Sequence, residues 1–219
     1  MNSPKLLYIT GIILGFYSLI FDSFYDLTTT LCIFYPIIQI LIFKFKFKIN
    51  NPLTLDEENL KNLNLGLILP VIALITRFWY DCNIFINSNY WLYNILLLTI
   101  IIFTTSSKSK IINSLKTENI RKTITILLFL ILYTSTSIGL INSTFDFSQP
   151  INEDVIITNK EKFYTKNSGH QFNISFTFGK NTKSKTIAVS EYYFTKCETG
   201  KVTKIKIRKG LLNIPWIHK

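Results

Sequence analysis

Two hydrophobic rhythms divide this chain. Up to residue 143 the apolar residues come in long blocks, at 6–21, 28–43, 63–80, 90–104 and 123–142, and beyond it they come singly, alternating with polar ones. Blocks of this kind predict helices that bury apolar surface all round, whereas alternation predicts half-buried strands. The last block, Thr123 to Asn142, is uncharged and about as long as a helix must be to cross a bilayer core. The chain therefore reads as a polytopic α-helical membrane bundle of about five transmembrane helices, residues 1–143, followed by a small C-terminal β-rich domain, residues 144–219.

Within the bundle, Pro36 and Pro70 fall inside blocks, where neighbouring helices can satisfy the freed carbonyls. The first two blocks are short for a span, and Asp-Ser-Phe-Tyr-Asp after the first argues for an uncleaved helix rather than a secretory signal. Thr54-Leu-Asp-Glu57 has the form of a capping box ahead of the third block.

Charge then orients the chain. The segments around the N-terminus, 44–62 and 105–122 carry ten Lys and Arg residues, while 22–30 and 81–89 carry none and hold Asp22, Asp26 and Asp81. A cationic excess marks the cytoplasmic side of short loops. The expected location is the inner (cytoplasmic) membrane of a bacterium, with the N-terminus cytoplasmic and the β domain extracytoplasmic.

In the tail, Phe172-Asn-Ile-Ser-Phe-Thr-Phe178 alternates cleanly, and Val155–Thr158, Thr186–Val189 and the run around Ile205 and Ile207 suggest further strands. Ser190 to Cys197 reads as a short capped helix, and Gly210 to Trp216 as a segment packed back on the domain. The expected product is a small sandwich or partly open barrel. A β domain ending in Gly210-Leu-Leu-Asn-Ile-Pro-Trp216 after a basic strand resembles the C-terminal domains of uncharacterised small bacterial inner-membrane proteins. That resemblance covers residues 144–219, implies placement outside the membrane, and brings no catalytic residue with it.

Composition narrows the chemistry. The hydrophobic share of 48 % is ordinary, so segregation rather than amount makes the chain membrane-like. Three cysteines and two histidines are too few and too scattered for a disulfide scaffold or a zinc site. No Gly-rich phosphate loop, His-Glu-x-x-His, Cys-x-x-Cys or nucleophile elbow is present. No cofactor and no metal are expected, His170 reads as a turn residue, and nucleic acid is not an expected partner.

Four polar features remain. Arg77 lies four residues before Asp81, and together with Asp22 and Asp26 it could form a cluster at the outer rim, or it could simply snorkel beside Trp79 and Tyr80. Cys82 and Cys197 share the outer side in this topology, where a disulfide can form. The hydroxyl run Tyr133 to Ser137 could line a polar path, although such residues more often join helices, and Gln39 is the one amide at a matching depth. Lys196, Lys201, Lys204, Lys206, Arg208 and Lys209 are the expected contacts to lipid headgroups or to an acidic partner. These features point to a non-enzymatic membrane protein that binds a partner at the membrane or its outer face through a basic β domain. One form of this is an immunity protein against an envelope-targeting toxin; the alternative is a transporter or channel accessory subunit.

Overall fold

The computed structural model describes residues 4–21, 24–46, 57–105, 120–165, 169–178 and 184–217. Thr54 of the capping box, Asp22 and His218 lie outside these residues. The chain divides into a helical unit, residues 1–146 with 210–214, and a β unit, residues 147–209 with 215–219.

Each apolar block is helical: α1 is Pro4–Ile20, α2 Tyr25–Lys46, α3 Glu57–Asp81, α4 Ser88–Thr105 and α5 Ile120–Thr144. The expectation of five spans does not hold. Among the described residues only α5, over Leu127–Thr144, is long and apolar enough to cross a membrane. The reason is length: the apolar stretches of α1, α3 and α4 are Leu6–Ile20, Gly66–Tyr80 and Ser88–Phe103. At about 1.5 Å per residue these fall short of a hydrocarbon core of about 30 Å.

What these helices do instead is pack closely. Gly11 and Gly15, one helical turn apart on α1, face α3: a Cβ on Gly11 would strike the carbonyl of Gly66, and one on Gly15 would lie 2.7 Å from Leu69. Gly139 of α5 similarly leaves room only for the ring of Phe78. Small residues let the two backbones approach closely, so dispersion contacts accumulate along the crossing. The packed interior is Cys32, Ile33, Val71, Ala73, Leu74, Ile101, Tyr133 and Leu140. Outward, the unit is apolar as well, with Ile13, Ile95, Phe103 and Leu128 all more than half exposed.

The β unit is one antiparallel sheet, ordered β3-β2-β1-β4-β5, rather than a two-sheet sandwich. Its strands are β1 Ile151–Thr165, β2 Gly169–Phe178, β3 Ser184–Val189, β4 Val202–Arg208 and β5 Trp216–Ile217, with helix α6, Glu191–Lys196, before β4. Ser190 caps α6 by accepting from the Tyr193 N–H at 3.3 Å. Val155, Ile157, Ile174, Phe176 and Ile205 form the buried face, closed in part by Phe194 of α6 against Phe172.

A register shift between Ile157 and Asn159 explains why β1 is longer than its alternation suggests. A bulge adds one residue and exchanges the faces beyond it. The backbone of Ile157 is held there by Gly200 and Lys201, at 2.8 and 3.2 Å, and Gly200 takes the left-handed conformation this turn needs, φ +83°. Lys160, Lys162 and Tyr164 therefore continue the face of Val155 and Ile157, across from Ile174, Phe172 and His170.

Candidate functional site

Arg77 is buried on α3 and makes a set of bonds different from the expected carboxylate cluster. Its Nε and Nη2 donate to the Ser18 carbonyl at 3.1 and 2.8 Å, and Nη2 also reaches the Phe21 carbonyl at 3.4 Å. Nη1 donates to the Tyr25 carbonyl at 2.9 Å and to Thr29 Oγ1 at 2.6 Å, and the guanidinium lies 4.2 Å from the Tyr25 ring centroid. Ser18 and Phe21 stand at the C-terminal end of α1, where backbone carbonyls lack intrahelical donors and the helix dipole is negative. Arg77 thus ties the end of α1 to the start of α2. Asp26 is exposed, the Asp81 side chain and all of Asp22 lie outside the described residues, and no described carboxylate forms an ion pair with Arg77.

The hydroxyl run on α5 joins helices. Thr134 Oγ1 donates to Asn94 Oδ1 at 2.6 Å, the Asn94 amide donates to Ser135 Oγ, and Tyr90 Oη donates to the Ser135 carbonyl at 3.1 Å. Tyr133 Oη donates to the Ile33 carbonyl of α2. Asn94 satisfies both ends of its amide while only 4 % exposed. Gln39 and Ser137 are also buried, yet their side chains have no hydrogen-bond partner among the described residues.

Cys82 and Cys197 are both free thiols in this structure. Cys82 Sγ is engaged within its own unit, 3.2 Å from Ser143 Oγ and 4.0 Å from the Gly139 carbonyl. Cys197 is buried in the β unit, and that burial pushes its thiol pKa up, away from the reactive thiolate. Cys32 is fully buried in the helical core as a small packing residue.

The six cations expected to act together are dispersed. Lys201 is paired with Glu198 at 2.6 Å, an ion pair that holds the Glu198 carboxyl below its usual range. Lys196 sits over the Tyr192 ring on α6, 4.2 Å from its centroid, and bonds its hydroxyl. Lys209 is exposed just past the end of β4, where its N–H donates to Ser148 Oγ at 3.2 Å. Lys204, Lys206 and Arg208 remain together on one face of β4, because alternate residues of a strand point the same way. Lys204 and Lys206 are exposed, across from Asp154 and Asn152 of β1, and Arg208 lies over Trp216 of β5 at 5.8 Å.

The opposite face carries a second arrangement, hidden from sequence reading by the β1 bulge. Tyr164, His170, Phe172 and Phe194 follow one another with ring centroids 5.3, 6.3 and 5.1 Å apart. Lys162 lies 5.1 Å from the Phe172 centroid, and Lys160 lies 4.3 Å from that of Phe194 while donating to the Cys197 carbonyl at 2.5 Å. Among the described residues no three His, Cys, Asp or Glu side chains gather as metal ligands. Comparison with protein-family models, curated proteins and solved structures finds no match.

Proposed function

We propose that this chain is a membrane-anchored binding protein. In this reading α5 crosses the bilayer, the shorter helices rest their apolar surfaces in the same phase without crossing it, and the β unit lies on the extracytoplasmic side. Its ligand is an acidic partner met at the membrane, and its work is binding rather than catalysis.

Support for the anchor comes from the inverted character of the helical unit. Its outer surface carries Ile13, Ile95 and Phe103, while Arg77, Asn94 and Thr134 are buried. An apolar surface this extensive is unfavourable in water and suits lipid. The proposed orientation is supported by the flanks of α5: the fifteen residues before Leu127 hold Lys116, Arg121 and Lys122, and the fifteen after Thr144 hold no Lys or Arg.

The observation that carries the binding role is the exposed cationic face of β4. Each cation near an anionic surface contributes about 1 kcal/mol, so reversing two of them removes most of a modest affinity. The test uses the full chain in nanodiscs and an acidic peptide such as polyglutamate. Lys204→Glu with Lys206→Glu is expected to lower retention at least about tenfold at low salt, and the parent's retention is expected to fall steeply as salt rises. Equal retention of parent and variant would reduce this face to a solvated strand. A toxin delivered to the envelope is one acidic partner such a module could neutralise, and protection of cells by expression would single it out.

A transport role is favoured by one observation, the buried amide of Gln39, which has no hydrogen-bond partner among the described residues. Proteoliposomes whose potassium and proton leak is unchanged by Gln39→Leu would remove that reading.

A further inference from the structure

β4 pairs with β1 only over Ile151–Ile156, and β3 pairs with β2 only over Phe172–Thr177. Beyond Phe172, β1 and β2 continue as a two-stranded ribbon through Phe163–Gln171 and Tyr164–His170. Such a ribbon is marginal in water and normally needs a third strand or a covering layer.

This ribbon displays aromatic rings on both faces. Phe163 is 46 % exposed and Tyr164 71 % exposed, and as consecutive strand residues they point to opposite sides. Lys162, exposed, lies on the Tyr164 side beside Phe172 and His170. Glu161, the neighbour of Lys162 in sequence, accepts from the Asn159 amide at 2.8 Å.

We propose that this ribbon is a membrane-docking element, entering the headgroup layer of an anionic bilayer with Phe163 on one side, Tyr164 on the other and Lys162 against lipid phosphate. A bound sugar or peptide would use a platform on one face, whereas a bilayer interface surrounds the ribbon and takes up both rings together. Amphipathic rings and lysine are the residues that partition to this layer. Charge complementarity fits: residues 144–219 hold 13 Lys and Arg against six Asp and Glu. The proposal rests on the membrane-anchor reading for proximity, because an anchored ribbon needs little intrinsic affinity to dock. It uses a different surface from the β4 face.

The test is made on the full chain in vesicles. Tyr164→Cys, in a background with the three native cysteines replaced by serine, is labelled with an environment-sensitive fluorophore, and Thr186→Cys on β3 serves as a reference. Vesicles containing phosphatidylglycerol should shift the Tyr164 label to the blue and expose it to quenching by lipid-borne nitroxide, leaving the Thr186 label unchanged. Added Lys162→Glu should weaken this docking about tenfold. Should the cysteine-free background not fold, amide exchange at Lys162–Tyr164 of the native chain is compared in nanodiscs with and without phosphatidylglycerol, with slowing of about tenfold expected in the anionic discs.

A water-exposed label in both lipids, equal burial in purely zwitterionic vesicles, or shielding that follows protein concentration rather than lipid overturns the proposal. Resistance of the chain to carbonate extraction reports on α5 separately, so failure of the anchor and failure of the ribbon are told apart.

Discussion

Asn142 holds Ile214 from a distance of 72 residues: its side-chain amide donates to the Ile214 carbonyl at 2.8 Å, and its Oδ1 accepts from the Leu212 N–H at 2.9 Å. Both ends of a fully buried amide at the end of α5 are thereby used to seat the segment Gly210–Ile214 within the helical unit. The same seat requires Gly210, whose φ is +78° and where a Cβ would strike Asn142 and the Ile214 carbonyl, while its N–H donates to Asp146 at 3.0 Å. Asn142→Leu leaves the buried Ile214 carbonyl and the half-buried Leu212 N–H without this partner and is expected to cost about 1–3 kcal/mol. Gly210→Ala should be similarly harmful through strain and clash. Thermal unfolding in detergent measures both, and a midpoint unchanged by Asn142→Leu would show that water serves these groups as well.

Arg77 gives a second expectation. Its planar fork reaches the Ser18, Phe21 and Tyr25 carbonyls and the Thr29 hydroxyl at once, a geometry a lysine ammonium cannot reproduce. Arg77→Lys is therefore expected to destabilise the helical unit nearly as much as Arg77→Met, by about 2–4 kcal/mol, since buried carbonyls lose donors in both. A rim cluster of carboxylates would instead tolerate lysine. Unfolding midpoints of the two variants decide between these, and full rescue by lysine contradicts the clamp.

Arg77 also shows why some of the architecture was legible and some was not. Its partners are mostly backbone carbonyls more than fifty residues away in sequence, and carbonyls leave no trace in a pattern of residue types. The apolar blocks marked five helices correctly, but loop charge says only which side a loop prefers, and the short stretches on α1, α3 and α4 decide against five spans. On the β unit, strict alternation put Lys204 and Lys206 on one face as expected. The ladder from Tyr164 to Phe194 escaped because the bulge after Ile157 breaks that alternation. Asn94 escaped because a single amide in an apolar block has no partner visible in sequence; Thr134 and Ser135 supply it from another helix.

The crossing of α1 with α3 depends on the absence of side chains at Gly11 and Gly15. Alanine at Gly11 would collide with the carbonyl of Gly66, a backbone atom that can move only if the helices separate. Gly11→Ala gains in helix propensity by about 1 kcal/mol yet is expected to destabilise overall by about 1–3 kcal/mol through overpacking. Ala at Ile9, exposed on the same helix, is the control that should change little. Comparable midpoints for the two variants would mean that this approach is not under steric constraint.

Lys185 gives the sheet a pH dependence. It stands opposite Phe176 on the core side of β3, and burial pushes its pKa down from 10.5 to about 8. Between those values the unfolded chain holds a proton that the folded chain has released, so raising the pH across this window favours folding. The penalty is full below about pH 8 and gone above about pH 10.5. Lys185→Met, of similar length and uncharged, should therefore raise the unfolding midpoint at pH 7, and its advantage over the parent should shrink steadily between pH 8 and pH 10.5. Midpoints of parent and variant measured across that range provide the check, and a gap that stays constant would show that the side chain is solvated in the folded protein.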